Sequence, residues 1–416
     1  MATNNFSKEE RVMFEDALMG FDDALTISKN VATYNTSGEM MERAGDTFSR
    51  PVPYILNSQD RVIGSAVTAQ GNTQLKVPAS LTEQKTAPFT LNAKELRDLH
   101  QEGQLGKAAY QRLASDLDQK VKTVASMEGS LVVAVSGAAG TYDNVALAES
   151  LILEQGMQGY ERCLGLTARD YNGLAGNLST ASRSFGNEKS DSAYERSYVG
   201  MIAGFDTLKL DAGKQIGAAG GGGSITVATN GAQVQYAPTS TADNRYQTVT
   251  FSSTTGMAAG DCFTVAGIEA AHHITKETTN QPKTFRVISV TNGTDAVISP
   301  PMIGANQGSP TDAEKQYKNI HVASTSGTAA VSFLNANAAG ANPFWLKQSI
   351  EILPGSYSLP EGQGVDILRE TTENGIEVVM GKSFDNSTFE TLYTFDVLYG
   401  VTNLNPEQNG IILFNQ

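Results

Sequence analysis

The chain has 416 residues, with 40% hydrophobic side chains and a formal net charge of −14 at pH 7. Its length predicts two or three folded units, and its apolar fraction excludes wholesale disorder. Because a protein that binds duplex DNA needs a basic surface to displace counterions, the acidic balance argues against that class of function.

Two cysteines, Cys163 and Cys262, are too few and too far apart to indicate a disulfide framework. We expect buried free thiols in a reducing compartment. The N-terminal residues lack the basic-then-apolar pattern of a signal peptide, and no apolar run reaches the roughly 20 residues of a membrane span. The chain is therefore expected to be made and used inside a cell.

The first predicted element is a short helix near the N-terminus. Met13, Ala17, Phe21 and Leu25 recur at four-residue steps, which places one apolar stripe on a helix. A helix this short is marginal alone, so the stripe needs a partner surface. Two interpretations stay open at this stage: the helix packs on its own domain, or it docks on a neighbouring chain.

Residues 50–88 have an extended pattern, RPVPYIL and then RVIGSAVTAQGNTQLKVPASL, that predicts a two-stranded excursion. An isolated hairpin is barely stable in water. This one should therefore lie on another surface, in this chain or in another.

The clearest helical stretch covers residues 91–129. Asn92 is its expected N-cap, and Gly129 is its expected end. Gly103 and Gly106 predict a bend or break in its first part. The expected core face of this helix consists of Tyr110, Leu113, Leu117, Val121 and Val124.

Residues 224–331 are almost entirely β-like, and Asn292–Gly293 between two apolar runs is a hairpin-turn signal. A glycine-rich stretch, Gly220–Gly223, precedes the block. The chain before and after the block mixes helical and strand patterns. We therefore predict a β-barrel or sandwich that interrupts an α+β host domain.

Motifs of catalysis and metal binding are absent from the sequence. There is no G-x-S-x-G nucleophile elbow and no H-E-x-x-H motif. No Gly-Lys-Ser/Thr follows Gly220–Gly223, which favours a flexible junction over a phosphate loop. His272 and His273 are adjacent, so on a strand they would point to opposite faces. We expect no catalytic residue, no metal and no cofactor.

One set of stretches occurs in order along the chain: MERAGDTFSRPV (41–52), LNAKELRDL (91–99) with EGSLVV (128–133), IAGFDTL (202–208), DNRYQTVTFSSTTGMAAGDCFTVAGI (243–268) and NPFWLKQSIEIL (342–353). Together they resemble the major coat proteins of short-tailed Salmonella-type bacteriophages. The 243–268 stretch, with its DNR, TTGM and GD turns, is the most specific of the set.

The resemblance implies an α+β fold of the Hong Kong-97 capsid type with an inserted six-stranded β-barrel. It also implies a division of the chain into an N-terminal arm (1–45), an extended loop (46–90), a peripheral domain with a spine helix (91–135, completed by 391–416), an axial domain (136–215, completed by 336–390) and the inserted barrel (216–335).

The implied function is structural rather than enzymatic: a major capsid protein that forms the hexamers and pentamers of an icosahedral shell, with a triangulation number of seven, around double-stranded DNA. The implied partners are copies of itself, a separate scaffolding protein and the portal protein, with no sequence-specific DNA contact and no membrane. The implied location is the virion, after assembly in the host bacterial cytoplasm. The acidic charge suits this role, because a wall that does not grip phosphates lets packed DNA slide.

The insert departs from the family in one loop. Relatives carry a longer, charged loop before DNR, whereas YAPTSTADNR leaves Asp243, Asn244 and Arg245 as its candidate interaction residues. Surface ion pairs contribute only about 0–1 kcal/mol each, so a shell tolerates the loss of one. We expect contacts across capsomer two-fold axes to come from residues 304–318 instead, and the apolar stripe of the N-terminal helix to dock on the shell or on scaffolding protein.

Two other classes of function fit part of the sequence. The Gly/Thr-rich β-block is typical of an extracellular adhesion or fibre protein, but such proteins tend to show repeats and to lack a long amphipathic helix. A hydrolase with unrecognised motifs would present a cleft with converging acids of perturbed pKa.

Overall fold

The computed structural model describes residues 6, 8–34, 47–53, 55–56, 63–64, 66, 71–92, 99–157, 161–182, 188–220, 225–229, 231–305, 309–323, 327–357, 366–372 and 374–416. The helices in these ranges are α1 (Lys8–Ala24), α2 (Leu99–Glu128), α3 (Tyr142–Glu154), α4 (Ala168–Ser182), α5 (Glu188–Arg196) and α6 (Asp312–Tyr317).

The strands are β1 (Ala32–Thr33), β2 (Thr47–Pro51), β3 (Lys76–Ser80), β4 (Glu83–Asn92), β5 (Leu131–Ala134), β6 (Arg162–Thr167), β7 (Met201–Ile202), β8 (Phe205–Leu210), β9 (Gln215–Ile216), β10 (Thr226–Ala228), β11 (Gln247–Thr250), β12 (Cys262–Ala271), β13 (Thr278–Val290), β14 (Asp295–Ser299), β15 (Ile320–Val322), β16 (Thr328–Phe333), β17 (Ala339–Gly340), β18 (Asn342–Leu346), β19 (Ile350–Pro354), β20 (Asp366–Thr371), β21 (Glu377–Asp385), β22 (Glu390–Asn403) and β23 (Asn409–Leu413).

The chain divides into two compact units. Unit 1 contains Met1–Phe48, Ala79–Lys122 and Ile350–Thr402, and unit 2 contains Ser49–Pro78, Thr123–Ser349 and Asn403–Gln416. The boundaries fall inside α2 and near the end of β22, so both units are built from segments that are distant in sequence.

Unit 1 is a sheet with two helices. Its strands follow the order β1-β19-β22-β21-β20, and β4 pairs with β22 over ten residues. The face predicted for the long helix is confirmed, because all five of its expected core residues are buried. Tyr110 of this helix packs on Phe395 of β22, with the ring centroids 4.6 Å apart.

The apolar stripe of α1 is buried inside unit 1. Ala17, Phe21 and Leu25 expose 3% or less of their surface, and Met13 is half-buried against Gly106 of α2. Burial of a phenylalanine such as Phe21 contributes about 1.5–3 kcal/mol. Of the two interpretations left open by the sequence, packing on its own domain is the one that the structure shows. The docking of this stripe on another chain is corrected accordingly.

Polar contacts hold both ends of α1 in place. At the first turn, the buried carboxylate of Glu10 accepts hydrogen bonds from Lys382 Nζ (2.6 Å) and from the Tyr393 hydroxyl (3.1 Å). After the last turn, the Asp118 carboxylate accepts the backbone N–H groups of Thr26 (2.8 Å) and Ser28 (3.0 Å). A charged acceptor makes these bonds stronger than neutral ones.

The start of α2 differs from the prediction. Asn92, the expected N-cap, is the last residue of β4 and pairs with Glu390. The helix runs unbroken through Gly103 and Gly106. A Cβ atom at Gly106 would lie 3.4 Å from Met13 Sδ, an ordinary van der Waals distance, so Gly106 lies at the contact between α1 and α2 without being required by it. The predicted end at Gly129 is confirmed, because α2 ends at Glu128. Residues 93–98, which belong to the stretch LNAKELRDL, lie outside the described residues.

Unit 2 is built on a mixed sheet with the strand order β5-β23-β18-β6-β8-β7. Helices α3 and α4 contribute to the core on this sheet through Val145, Ile152 and Tyr171, which meet Phe205 and Phe344. The short pair β9–β17 then leads out of this sheet and back into it.

The β-like block forms a barrel within unit 2. Six strands follow the order β10-β16-β12-β13-β14-β11, and a bridge between Val227 and Phe251 joins the two ends of this order. A seventh, short strand, β15, pairs with β12 outside this ring. Phe263, Phe285 and Val287 lie in the core of the barrel. Of the glycine-rich junction, Gly220 is described and 221–224 lie outside the described residues.

The sheets divide residues 336–416 differently from the expected division. That division joined 336–390 to 136–215 and 391–416 to 91–135. Instead, β19–β22 belong to the sheet of unit 1, whereas β23 lies between β5 and β18 in unit 2. A boundary at residue 390 would cut the β21–β22 hairpin, whose strands pair along their shared length. The end of the expected extended loop, 83–90, likewise belongs to β4.

Candidate functional site

The most densely bonded polar cluster of unit 2 lies where the barrel meets the mixed sheet; we call it the barrel base. Residues Lys283–Val287 of β13 are buried in succession. Phe285 and Val287 fill the barrel core, while Lys283, Thr284 and Arg286 bond to host residues outside it. One strand therefore supplies both the barrel core and its attachment.

Arg286 is fully buried and binds the C-terminal end of α2. Its Nη2 donates to Ser126 O (2.5 Å), its Nη1 to Gly129 O (3.5 Å) and its Nε to Gly260 O (3.0 Å). The last carbonyls of a helix lack intrahelical donors and carry partial negative charge, so a guanidinium is well matched to them. Burial lowers the pKa of Arg286, and the nearby Asp261 acts in the opposite direction.

Lys283 and Glu407 form a buried ion pair between the barrel and the segment before β23. Lys283 Nζ lies 2.6 Å from Glu407 Oε1, and only 1% of the lysine side chain is exposed. Gln155 Oε1 (3.2 Å) also accepts from this ammonium, and Asn319 Nδ2 donates to Glu407 Oε1 (3.1 Å). Burial raises the pKa of Glu407, but the charge and hydrogen bond of Lys283 outweigh it, so the pKa lies below its ordinary value.

His273 and Lys276 line a pocket of about 90 Å³ beside Glu407. Burial lowers the pKa of His273. Burial also lowers the pKa of Lys276 to about 8; Lys283 and Lys318 add to this effect, and Glu407 opposes it. Lys276 Nζ donates to Lys318 O at 3.2 Å. The barrel base therefore holds several positive groups around one carboxylate.

Replacement of Lys276 by methionine should remove a pH dependence of stability. Between pH 8 and 10 the folded Lys276 loses its proton while the unfolded one keeps it. The unfolded state then binds more protons, so the free energy of unfolding rises with pH, by at most about 1.4 kcal/mol per unit from this group. Urea unfolding of wild-type and Lys276→Met subunits from pH 7.5 to 10 measures the effect. A difference between the two proteins that stays constant over this range would contradict it.

The three candidate residues of the insert loop lie close together, but their bonds are made within the chain. Arg245 Nη2 and Nε contact the Asp243 carboxylate at 2.7 and 3.0 Å, and Nη1 donates to Asn403 O at 2.9 Å. Asn244 Nδ2 donates to the carbonyl oxygen of Thr239 (2.7 Å) and closes the loop on itself. The Arg245 side chain is 11% exposed. Its position favours attachment of the barrel over contact with another copy.

Residues from the 304–318 region, expected at two-fold contacts, bind the segment 71–75 of the same chain. Asp312 Oδ2 accepts the Gly71 N–H at 3.0 Å, and Gln316 Oε1 accepts the Thr73 N–H at 3.0 Å. The hydroxyl of Tyr317 donates to Thr73 O at 2.8 Å. These groups all belong to α6, which was not predicted. Residues 306–308 lie outside the described residues.

His272 and the two cysteines have structural roles. His272 Nδ1 accepts the backbone N–H groups of Ile274 (3.3 Å) and Thr275 (3.2 Å) at the β12–β13 turn. Cys163 and Cys262 are buried free thiols, as predicted, and burial raises the pKa of Cys163 to about 11. Within the described ranges, no three His, Cys, Asp or Glu side chains are grouped so that they could hold a metal ion. No helix in the same ranges is long and apolar enough to cross a bilayer.

Residues 1–415 match the family model described as "P22 coat protein - gene protein 5". The chain belongs to the P22 coat protein family. The resemblance seen in the sequence is thereby confirmed, together with the mixed α+β capsid fold. As a coat protein of this family, it is a major capsid protein, it forms the icosahedral shell of a phage, and its place is the virion.

Solved structures of coat and capsid proteins are also similar to this coat protein. The structure titled "CUS-3 coat protein I-domain" is 34% identical, with 27% of this chain and 96% of that chain covered and a TM-score of 0.21. "Mycobacterium phage Che8" is 8% identical over 91% and 92% of the two chains, with a TM-score of 0.43. "Capsid structure of the Cyanophage P-SCSP1u" is 11% identical over 95% and 87%, with a TM-score of 0.41. All three TM-scores lie below 0.5, so the family assignment rests on the family model.

The barrel base was not predicted from the sequence. A charged residue that alternates with apolar ones, as Arg286 does with Phe285 and Val287, is typical of the solvent face of a strand, and no motif singled out Lys283 or Arg286. One signal was available for α6, because Thr311 and Glu314 have capping-box spacing. In the structure Thr311 Oγ1 accepts the Glu314 N–H (3.2 Å), and Glu314 Oε2 accepts the Thr311 N–H (2.6 Å).

Proposed function

We propose that this coat protein builds its shell of hexamers and pentamers with a separate scaffolding protein, and that the barrel holds the extended loop in position for assembly. The loop (46–90 in the sequence-based division) would lie over a neighbouring subunit. In this proposal the barrel is the insert expected at 216–335. The observation that carries the proposal is the set of bonds from α6 to segment 71–75.

Apolar packing supports the same role for the barrel. Leu75 lies in one buried cluster with Ile303 and Tyr317 of the barrel, and Val52 and Ile55 pack against that cluster. A two-stranded element is barely stable alone, so a loop that must lie on a neighbour gains from being held at its base. Preorganisation of this kind lowers the ordering cost of each contact between copies.

The remaining parts of the proposal concern partners and location. The shell would assemble in the host cytoplasm, incorporate the portal protein and enclose double-stranded DNA without reading its sequence. The net charge of −14 supports weak contact with phosphates. The absence of catalytic motifs from the sequence supports a role that is purely structural. The family resemblance supports a triangulation number of seven.

The double variant Asp312→Ala/Tyr317→Phe tests the proposal. It removes two bonds to segment 71–75, each worth about 0.5–1.5 kcal/mol, and leaves the barrel core unchanged. We expect about tenfold fewer closed shells by electron microscopy when the variant is co-expressed with scaffolding protein, because the loop loses its preorganisation. Glu277→Ala, at an exposed carboxylate between β12 and β13 of the barrel, is the control. Wild-type yield of the double variant would refute the role of α6, and closed wild-type shells without scaffolding protein would refute the need for that partner.

A further inference from the structure

The tip of the β21–β22 hairpin exposes two aromatic rings. Phe384 is 55% exposed and Phe389 is 61% exposed. Their ring centroids are 6.2 Å apart, with the planes at 83°, so the rings contact each other edge to face. β4 pairs with β22 up to its first residue, Glu390, whereas the pairing of β20 with β21 ends at Lys382. The rings therefore lie at the turn end of the β21–β22 hairpin, beyond the last residue paired with β20.

The backbone of the tip holds the rings outward. Asp385 Oδ1 accepts the N–H (2.8 Å) and the hydroxyl (2.6 Å) of Ser387, which closes the turn. Phe389 has a φ of 56°, in the left-handed region that glycine and asparagine favour and bulky residues avoid. A phenyl group at this position costs conformational energy, and its one ring contact, with Phe384, leaves 61% of the residue exposed. The geometry of the turn therefore does not explain why a phenylalanine occupies position 389.

We propose that this tip is a contact point between copies of the chain, at which Phe384 and Phe389 pack on a neighbouring subunit of the shell. The inference rests on the shell-forming role of the family. Two half-exposed phenylalanines offer on the order of 200 Å² of surface, far below the roughly 800 Å² per partner of a stable two-protein interface. Such a small patch cannot hold a separate partner by itself. It can contribute when many other contacts already hold the copies together.

The variant Phe384→Thr/Phe389→Asn tests this contact. Threonine keeps the strand preference and asparagine suits the left-handed turn, so subunits should unfold at the wild-type temperature or above it. We expect the subunit concentration needed for shell assembly to rise at least tenfold, since the apolar burial is lost. Phe384→Leu keeps an apolar tip and should stay within about twofold of wild type. Ile274→Thr, at a 60% exposed isoleucine on a barrel hairpin, is the control for loss of any exposed apolar group.

A cross-linking experiment identifies the protein that contacts the hairpin tip. Asn386→Cys places one exposed thiol at the tip, whereas both native cysteines are buried. Labelled with a maleimide photo-cross-linker and illuminated in assembled shells, it should give dimers of the coat protein. Cross-links to scaffolding protein alone, or none at all, would overturn the proposal. Assembly of the Thr/Asn variant at the wild-type concentration would overturn it as well.

Discussion

Replacement of Arg286 by methionine should cost about 3–5 kcal/mol of the free energy of unfolding. The side chain is fully buried and supplies donors to the carbonyls of Ser126, Gly129 and Gly260. Methionine fills much of the volume but leaves these acceptors without the guanidinium, and buried unpaired polar groups are costly. Urea unfolding of unassembled subunits, followed by fluorescence and circular dichroism, measures the change. A loss below 1 kcal/mol would show that the guanidinium does not hold the barrel to the end of α2.

Two further variants separate the possible causes of this loss. Arg286→Lys keeps the charge but not the fork of donors, so it should recover less than half of the loss. Arg112→Ala removes an arginine of α2 whose side chain is 74% exposed and pairs with Asp116 at 3.1 Å. It should change the free energy of unfolding by no more than about 0.5 kcal/mol. Equal losses at Arg112 and Arg286 would indicate a general effect of arginine removal.

Local periodicity explains why much of the fold was predictable. The four-residue step of α1 and the face of α2 identify buried residues correctly, because a stripe on a helix must meet a core wherever that core lies. The barrel was predictable as a β-rich block for a similar reason: its strands pair with strands of the same stretch, from Thr226 to Phe333.

Long-range pairing explains the errors. Nothing local to β22 specifies that it joins β4, about 300 positions away in sequence, so the sheet of unit 1 crosses the expected boundary at residue 390. The stripe of α1 identified a buried face without identifying the surface that covers it. At the barrel base, Arg286 bonds to Ser126, 160 positions away in sequence. Two charged residues in a strand predict exposure unless their distant partners are known.

Replacement of Glu407 by glutamine should cost about 3–5 kcal/mol, because it leaves Lys283 buried without a counter-charge. The double variant Lys283→Met/Glu407→Gln removes both charges and should be markedly more stable than the sum of the two single losses predicts. We expect a coupling energy of about 2 kcal/mol from the cycle, measured by urea unfolding at pH 7. Lys347→Met, at a 41% exposed lysine that lies 3.9 Å from Glu161, should lose no more than about 0.5 kcal/mol. If the losses of the two single variants simply add in the double variant, Lys283 and Glu407 do not stabilise each other, which would contradict the prediction.

Acid should abolish the stabilisation that the Lys283–Glu407 ion pair provides. The pKa of Glu407 is lowered in the folded state, so the unfolded state binds its proton first as the pH falls. The stabilisation is therefore complete above the unfolded value of about 4.3 and is lost as the pH falls through the folded value. Unfolding at intervals from pH 7 to pH 3 should show the wild-type protein losing its advantage over Glu407→Gln within this window. An advantage of the wild-type protein over Glu407→Gln that did not decrease as the pH fell would contradict the prediction.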